Sequence, residues 1–274
     1  MNAPSPARHA GSAPLVQRHD QDGIAALVLS RPETRNALSQ AMLAALSEVL
    51  TEIAADTRVR AVVLSAEGPA FCAGHDLKEI TAHRADPDSG RGFVQGLMDQ
   101  CSSMMQIIRR MPQPVIAAVE GIATAAGCQL VASCDLAVAA EGARFATPGV
   151  HIGLFCSTPM VALSRNVSPK HAMEMLLTGD MISAEDAFRM GLVNRVVAAG
   201  TARDDATALA RKIASKSALT VKIGKEAFYR QLDMSLSEAY RYANQVMVEN
   251  MMARDASEGI SAFVEKRPPK WEHR

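Results

Sequence analysis

Hydrophobic positions in the first half of the chain form short continuous runs rather than an alternating pattern. The runs at 24–30, 59–64, 114–119 and 135–139 consist largely of Val, Ile, Leu and Ala. Continuous apolar runs of this length are typical of β-strands that are covered on both faces. The sequence therefore predicts four buried strands before residue 140.

Segments with a helical period separate these runs. Leu38, Met42, Leu46, Val49 and Ile53 recur at intervals of three or four and predict one face of a helix that begins near residue 38. Further helices are predicted at 92–111, which Pro112 and Pro114 end, and at 127–133. Strands that alternate with helices indicate an α/β fold.

The pattern becomes helical after about residue 183. We predict three parts: a flexible N-terminal tail over 1–14, an α/β core that carries the active site over 15–195, and a helical C-terminal region over 196–274. The helices predicted after residue 183 lie at 184–190, 206–216, 221–231, 236–252 and 257–266.

Composition narrows the class of protein. The chain is 48% hydrophobic and 21% charged with a formal net charge of zero, which indicates a folded globular protein and argues against nucleic acid as the partner. No apolar run reaches the roughly 18 residues that a membrane span needs. The five cysteines include no CxxC pair, which predicts reduced thiols, no metal site and a cytoplasmic protein. An organelle-targeting N-terminus is the alternative.

Two glycine-containing turns are the strongest chemical signal. GPAFCAGHDLKEI (68–80) and EGIATAAGCQL (120–130) each follow an apolar strand and lead into a helix. Backbone N–H groups at a helix start lack partners, and small side chains let a ligand oxygen approach them. Two such turns side by side would form an oxyanion hole, whereas separately they would be plain strand–helix connections.

These motifs resemble the crotonase, or enoyl-CoA hydratase/isomerase, superfamily. The similarity includes RPETRNALS (31–39), FCAGHDLKEI (71–80), the segment 112–155, MEMLLTGDMISAEDAFRMGLVNRVV (173–197) and EGISAFVEKRPP (258–269). The resemblance implies a ClpP-like spiral of ββα units with a helical C-terminal trimerisation region. It also implies a homotrimer or a dimer of trimers that binds an acyl-CoA thioester and stabilises its enolate.

The resemblance assigns site residues by motif. The backbone N–H groups of Ala73 and Ala126 correspond to the oxyanion donors, and Phe263 and Lys266 match a motif that reaches the CoA of a neighbouring subunit. CoA enters as part of the substrate, and no separate cofactor or metal is implied. The remaining expected substrate contacts are Arg35, Ala37, Leu38, His75, Asp76, Leu77, Gly127, His151 and Phe155.

Departures from the family pattern bear on the reaction. Gln129 and Gly149 stand where hydratases carry two glutamates, and neither can exchange a proton near neutrality. His151, which would share the facing of Gly149 on a strand end, is a candidate replacement, with a packed or surface histidine as the alternative. For His75, substrate contact and a capping role both remain open.

We therefore predict an acyl-CoA-utilising enzyme of this family with little ordinary hydratase activity. Isomerisation, thioester hydrolysis or decarboxylation through the same enolate is the first alternative. A non-catalytic acyl-CoA-binding protein is the second. RNA binding by the basic segment 211–230 is the weakest, because that segment also fits a solvated helix face.

Overall fold

The computed structural model describes residues 14–274, so nearly all of the predicted tail lies outside the described residues. Strands occupy most of the first 200 residues. They are β1 (Val16–Gln21), β2 (Ile24–Leu29), β3 (Ala61–Ala66), β4 (Ala70–Cys72), β5 (Val115–Val119), β6 (Ile122–Thr124), β7 (Leu136–Ala140), β8 (Arg144–Ala146), β9 (Ile182–Ser183) and β10 (Arg195–Val197).

Helices follow the strand pairs and fill the C-terminal region. They are α1 (Gln40–Ala55), α2 (Leu77–Ala82), α3 (Arg91–Arg110), α4 (Ala126–Ser133), α5 (Ser157–Leu163), α6 (Pro169–Thr178), α7 (Ala184–Met190), α8 (Ala202–Ala214), α9 (Ala218–Gln231), α10 (Leu236–Met252) and α11 (Arg254–Val264).

The strands form two sheets, and successive units contribute one strand to each. The larger sheet has the order β1-β2-β3-β5-β7-β10, and the smaller has the order β4-β6-β8-β9. Within residues 14–274, β1 pairs antiparallel with β2, β9 pairs antiparallel with β8, and the other neighbouring strands are parallel. The pairs β3–β4, β5–β6 and β7–β8 each lead into helical segments, which gives the repeating ββα spiral that the resemblance implied.

Both faces of the larger sheet are covered, as the continuous apolar runs predicted. Side chains alternate along a strand, so Val62 and Leu64 enter the main core, whereas Ala61 and Val63 pack on the opposite side. Small residues on one face of α8, including Ala206, complete that second cluster. Alanines on both elements let the helix lie close to the sheet.

Helix α1 begins two residues later than predicted. The Oγ atom of Ser39 accepts a hydrogen bond from the N–H of Met42 at 3.2 Å and caps the helix. Leu38 therefore precedes the helix, and its N–H donates to the carbonyl of Gly74 at 2.8 Å. The apolar period extended to Leu38 because that side chain is fully buried even though it lies outside the helix.

A buried ion pair holds α9 against the core. Lys225 Nζ lies 2.7 Å from a carboxylate oxygen of Asp135 and also donates to the carbonyls of Ile108 and Gln113. The other Asp135 oxygen accepts from Tyr229 Oη at 2.9 Å. Asp135 thus has a structural role.

Helices α9 and α10 otherwise bury no complete side chain in the single chain. Large apolar side chains on their surfaces remain open to solvent, and the same is true along α11. The most exposed are Leu236, Tyr240, Met247, Met252, Phe263 and Val264. Within residues 14–274, none of the helices has both the length and the apolar character that crossing a membrane requires.

Candidate active site

Two strand-to-helix turns meet at one edge of the smaller sheet. Strands β4 and β6 pair in parallel, with Ala70 opposite Ile122 and Cys72 opposite Ala123. Because parallel strands end at the same sheet edge, the turn after Cys72 and the turn after Thr124 lie side by side. The structure thus brings together the two motifs that the sequence singled out.

Glycine at position 74 permits the closest approach between the turns. A Cβ atom on Gly74 would lie 2.9 Å from the Cβ of Ala125 and 3.4 Å from the backbone nitrogen of Ala126. Its φ of +94° also favours glycine. The Oγ1 atom of Thr124 donates to the carbonyl of Ala73 at 3.1 Å and ties the turns together.

The start of α4 is equally crowded. A Cβ atom on Gly127 would lie 2.0 Å from the carbonyl oxygen of Cys72, so only glycine fits where the helix crosses β4. Ala125, which precedes the helix, has φ +51° and ψ −119°. Backbone in such sparsely populated regions costs about 1–3 kcal/mol and is commonly found at functional sites.

Hydrogen bonding divides the amides of the two turns into engaged and free groups. The N–H of Ala73 donates to the carbonyl of Arg35 at 3.0 Å, and that of Ala125 donates to the carbonyl of Ala146 at 2.9 Å. Among residues 14–274, the N–H groups of His75 and Ala126 have no acceptor. An amide already bonded to its own chain cannot serve a ligand, which argues against the predicted donor role of Ala73.

The segment 31–38 is held against the first turn. Buried Asn36 donates through Nδ2 to the carbonyls of Glu67 and Ala70, and its Oδ1 accepts from the N–H of Arg31. Arg35 adopts φ +53°, exposes its side chain and presents its carbonyl to Ala73. Leu38, by contrast, is fully buried, so its side chain cannot make the predicted contact with CoA.

His75 is a neutral histidine in the first turn. Its Nδ1 lies 3.2 Å from the carbonyl oxygen of Leu38, which requires the proton on Nδ1 and leaves Nε2 as an acceptor. That Nε2 is buried and has no partner within the described residues. Burial lowers the pKa of His75 from its ordinary value. The side chain is therefore a weak base rather than a positive charge at neutral pH.

Asp76 and Leu77 begin α2. The Asp76 carboxylate accepts from the N–H groups of Lys78 and Glu79, so it acts as the helix cap. Leu77 is half exposed beside it. Their predicted contact with CoA stays a prediction.

Gln129 lies one helical turn after Ala126. It is 5% exposed, and its Oε1 has no hydrogen-bond partner in the described part of the chain. An unpaired buried polar atom costs about 1–3 kcal/mol, so the side chain is poised for a donor that the protein does not supply. Gln129 also lines a cleft of about 340 Å³ between helices α3, α4 and α5.

The walls of this cleft are mixed in polarity. Met105, Val161 and Ala162 are apolar, whereas Arg109 and Arg165 carry charge. The guanidinium carbon of Arg109 lies 4.3 Å from the ring centre of Tyr229, so Tyr229 connects this wall to Asp135. The other lining residues are Ser102, Gln106, Ser133, Thr158 and Asp233.

Gly149 stands at the position predicted to carry the second family glutamate, and atoms of Leu154 and Cys156 occupy the space beside it. A Cβ atom on Gly149 would lie 2.9 Å from Cys156 Sγ and 2.8 Å from the carbonyl oxygen of Leu154. Burial raises the pKa of the Cys156 thiol and raises that of Cys128 to about 12. Both thiols remain protonated at neutral pH and are poor nucleophiles.

His151 does not share the facing of Gly149. Residues Pro148–Ile152 form a 3-10 helix rather than a strand end, so residues two apart point in different directions. The Nε2 of His151 lies 2.8 Å from the carbonyl oxygen of Thr178. The expected strand geometry is therefore wrong, and His151 is engaged elsewhere. Phe155, on the following loop, is 41% exposed.

Phe263 and Lys266 lie at the C-terminal end of α11, and both are exposed. Phe263 has 86% of its surface open to solvent in the single chain. An aromatic side chain so exposed has room for a ligand or a neighbouring subunit. Their predicted contact with the CoA of a neighbour stays a prediction.

Sequence reasoning missed several residues of this region. His75 was assigned as a substrate contact but not as a backbone donor, because the bond that engages Ala73 comes from a segment nearly forty residues earlier. No sequence motif marked Arg109 and Arg165 as cleft residues, because a basic residue on an amphipathic helix is ordinarily solvated. In residues 14–274, no group of three or more potential metal ligands is present.

The sequence profile of enoyl-CoA hydratase/isomerase matches residues 19–274. The chain belongs to this family, the crotonase family, and its spiral fold agrees with that of solved members. Enoyl-CoA hydratase domain-containing protein 3, mitochondrial, from Rattus norvegicus is 50% identical over 274 residues, covering 99% of this chain and 90% of the relative. The human protein of that name is 50% identical over 252 residues, covering 92% and 82%.

Solved structures give the same result. A crystal structure of an enoyl-CoA hydratase from Mycobacterium smegmatis is 54% identical, with a TM-score of 0.90 over 94% of this chain and 99% of that one. The crystal structure of human enoyl-CoA hydratase domain-containing protein 3 is 47% identical, with a TM-score of 0.89 over 94% and 100%. These likenesses confirm the predicted family and fold.

The comparison with known relatives shows that the predicted cytoplasmic location is wrong. The rat, mouse, Xenopus and human relatives all carry the designation mitochondrial. The prediction depended on reduced cysteines, and these do not distinguish one reducing compartment from another.

Proposed function

We propose that the chain binds an acyl-CoA thioester and polarises its carbonyl between two backbone N–H groups, those of His75 and Ala126. The observation that carries this proposal is the pair of free amides on adjoining turns. Gly74, between them, keeps side chains out of the intervening space. Donors fixed in this way stabilise the negative oxygen of an enolate without reorganising.

The CoA part has a continuous path along the first turn in this proposal. The exposed side chain of Arg35, the partly exposed Ala37 and the start of α2 at Leu77 lie beside His75. An arginine here suits a phosphate group. The acyl part would occupy the cleft beside Gln129, whose volume of about 340 Å³ fits a short acyl chain.

Ordinary hydration of an enoyl-CoA would be slow at this site. Adding water to a double bond needs one group to take a proton and another to give one. Gln129 can orient a water molecule through Oε1 but cannot accept its proton, and Gly149 has no side chain. The proposed alternatives are reactions that use the oxyanion hole without both glutamates. They are isomerisation, thioester hydrolysis and decarboxylation.

The subunits would assemble as a homotrimer or a dimer of trimers, with Phe263 and Lys266 completing the CoA site of a neighbour. The exposed apolar surface of α9, α10 and α11 supports assembly. Contiguous apolar surface of this kind commonly marks a protein interface.

Ala126→Pro tests the proposed donor. Ala126 is the first residue of α4, where proline fits the helix, so the substitution removes the N–H. Because Ala126 is 1% exposed and follows Ala125 at φ +51°, urea unfolding checks that the variant is folded. Loss of one oxyanion donor lowers turnover about 10²–10³-fold. Ala126→Ser keeps the N–H and is the matched control, and free CoA, which lacks the thioester carbonyl, should bind both variants equally.

Calorimetry with a panel of acyl-CoAs, followed by mass spectrometry of the products, separates the possibilities. Binding with product formation that Ala126→Pro suppresses supports the enzyme. Binding of thioesters without any product would favour the non-catalytic alternative, for which the absence of both glutamates argues. Failure of every acyl-CoA to bind would refute the proposal.

A further inference from the structure

A second cleft lies where strands of the larger sheet begin, whereas the turns of the proposed thioester site follow strands of the smaller sheet. Arg60 immediately precedes β3, and Gln113 lies two residues before β5, so both stand where these parallel strands begin. The two catalytic turns follow strand ends instead. Within residues 14–274, none of the residues that line this cleft belongs to either turn or to the cleft beside Gln129, so it is a separate site.

The cleft is strongly basic. Its volume is about 280 Å³, and Arg60, Lys216, Lys222 and His273 line it. Among the described residues, no Asp or Glu lines it. Lys216 and Lys222 belong to the basic segment 211–230, which the proposed acyl-CoA chemistry does not use.

Nearby carboxylates are occupied elsewhere. Asp56 pairs with Arg18 and Arg58. Asp255, behind His273, accepts from the backbone N–H groups of Glu272 and His273. The positive charge of the cleft is therefore not neutralised by the acids closest to it.

Two buried polar atoms in the wall have no hydrogen-bond partner among residues 14–274. Arg60 Nη1 is a donor, and Gln113 Oε1 is an acceptor. Gln113 is 5% exposed, and its Nε2 donates to the carbonyls of Ile53 and Asp56, which fixes the amide with Oε1 on the other side. A ligand that satisfies both atoms must carry an acceptor and a donor.

The start of α9 adds donors to the same cleft. The N–H of Ala218 donates to Nδ1 of His273 at 3.2 Å, which places the imidazole proton on Nε2. The N–H of Leu219, which also lines the cleft, has no acceptor within residues 14–274. The positive end of this 14-residue helix adds to the attraction for an anion.

We propose that this cleft is a binding site for a hydrogen phosphate group. Its oxygens would accept from Arg60 Nη1, Lys222 and the N–H of Leu219. Its P–OH would donate to Gln113 Oε1, the one buried acceptor in an otherwise donor-rich wall. Sulfate has the same shape and charge but no proton, so it would leave Gln113 unsatisfied and bind less tightly.

Titration calorimetry on the full chain tests the proposal with inorganic phosphate and sulfate at matched ionic strength and pH 7. We expect saturable phosphate binding and at least a fivefold preference over sulfate. Methyl phosphate identifies the source of the group: binding below pH 6, where its P–OH persists, indicates a phosphate ester, and its failure to bind indicates the free ion.

Matched variants locate the site. Arg60→Gln and Lys222→Gln should each weaken phosphate binding about tenfold. Lys212→Gln removes a charge from exposed α8 outside the cleft and should leave binding unchanged. Lys222 is exposed, so its variant tests the site even if Arg60→Gln misfolds.

Three outcomes would overturn this inference. Phosphate binding could fail to saturate, sulfate could bind equally well, or Lys212→Gln could weaken binding as much as Lys222→Gln. The last result, together with equal loss of binding to an RNA oligomer, would indicate a solvated basic face. None of these outcomes bears on acyl-CoA binding at the separate thioester site.

Discussion

Gly149 shows why a missing side chain is not the same as an empty space. In this chain Cys156 Sγ and the Leu154 carbonyl already occupy the position that a side chain at 149 would enter. The loop after Gly153 and the glycine are therefore matched to each other. Restoring the family glutamate requires a different path for the loop as well as a different residue.

Gly149→Glu should destabilise the protein without creating a hydratase. Overpacking a buried site costs about 1–3 kcal/mol, and an unpaired carboxylate adds to this. Urea unfolding measures the loss, and crotonyl-CoA hydration measures the activity. Gly142→Glu is the control, since a Cβ atom there meets nothing within 4 Å. A stable variant with rapid hydration would contradict the packing argument.

His75 should make stability depend on pH in the weakly acidic range. Burial lowers its pKa in the folded protein, so the unfolded chain binds a proton that the folded chain does not. The free energy of unfolding should therefore fall as the pH drops below about 6.5, the unfolded pKa.

Urea unfolding at pH 7.5 and 5.5 measures this loss, which should be smaller in His75→Asn. The pKa of His273 is also lowered, mainly by burial, so part of the slope will remain. Exposed His171→Asn should keep the full slope. An unchanged slope in His75→Asn would show that this side chain titrates alike in both states.

Among the elements, α9 is held against the core by a buried polar anchor. Lys225 has 6% of its side chain exposed and makes three hydrogen bonds, one of them to Asp135. Tyr229, one helical turn later, bonds the same carboxylate and stacks beneath Arg109. The anchor thus connects the docking of α9 to a wall of the proposed acyl cleft.

Lys225→Met should lower stability by about 3–5 kcal/mol, because it leaves the Asp135 carboxylate buried without its cation. Acyl-CoA affinity should fall as well, since Tyr229 and Arg109 lose their support. Lys170→Met on exposed α6 is the control, and urea unfolding with calorimetry gives both readings. A loss of stability below 1 kcal/mol would indicate that packing, rather than the ion pair, docks α9.

Helices were predictable where the sequence marks them, and the shortest strands were not. Helix α10 has the predicted bounds because its 17 residues contain several turns of apolar period. Helix α7 has only seven residues, but the Ser183 cap and Gly191 mark its two ends. Strands β4, β6 and β8 have three residues each, too few for a period, and are stabilised by pairing with one another.

The same limit applies within the site. The two turns were predictable because glycine and small residues mark them. The sequence could not predict which amide is free, because the bond from the N–H of Ala73 to the carbonyl of Arg35 is a tertiary contact. The mixed walls of the acyl cleft likewise depend on how three helices converge.

For the whole molecule, the exposed apolar helices are the dominant surface feature. If α9, α10 and α11 form the proposed trimer interface, Leu236→Glu and Met252→Glu should yield monomers, because each puts a charge into a buried contact. Sedimentation equilibrium measures the mass. Thr51→Glu, on the exposed face of α1, should remain trimeric. A monomeric parent chain would rule out this assembly.

The spiral arrangement also makes the site a late product of folding. Ala70 and Ile122, which align the two turns, lie about fifty residues apart in the chain, and β4 and β6 are too short to persist alone. Each free amide belongs to a different ββα unit, so neither unit has a site before the other has joined it. A thioester ligand would therefore bind only after β4 and β6 have paired. The rate at which ligand binding appears during refolding would then measure how fast the two units join.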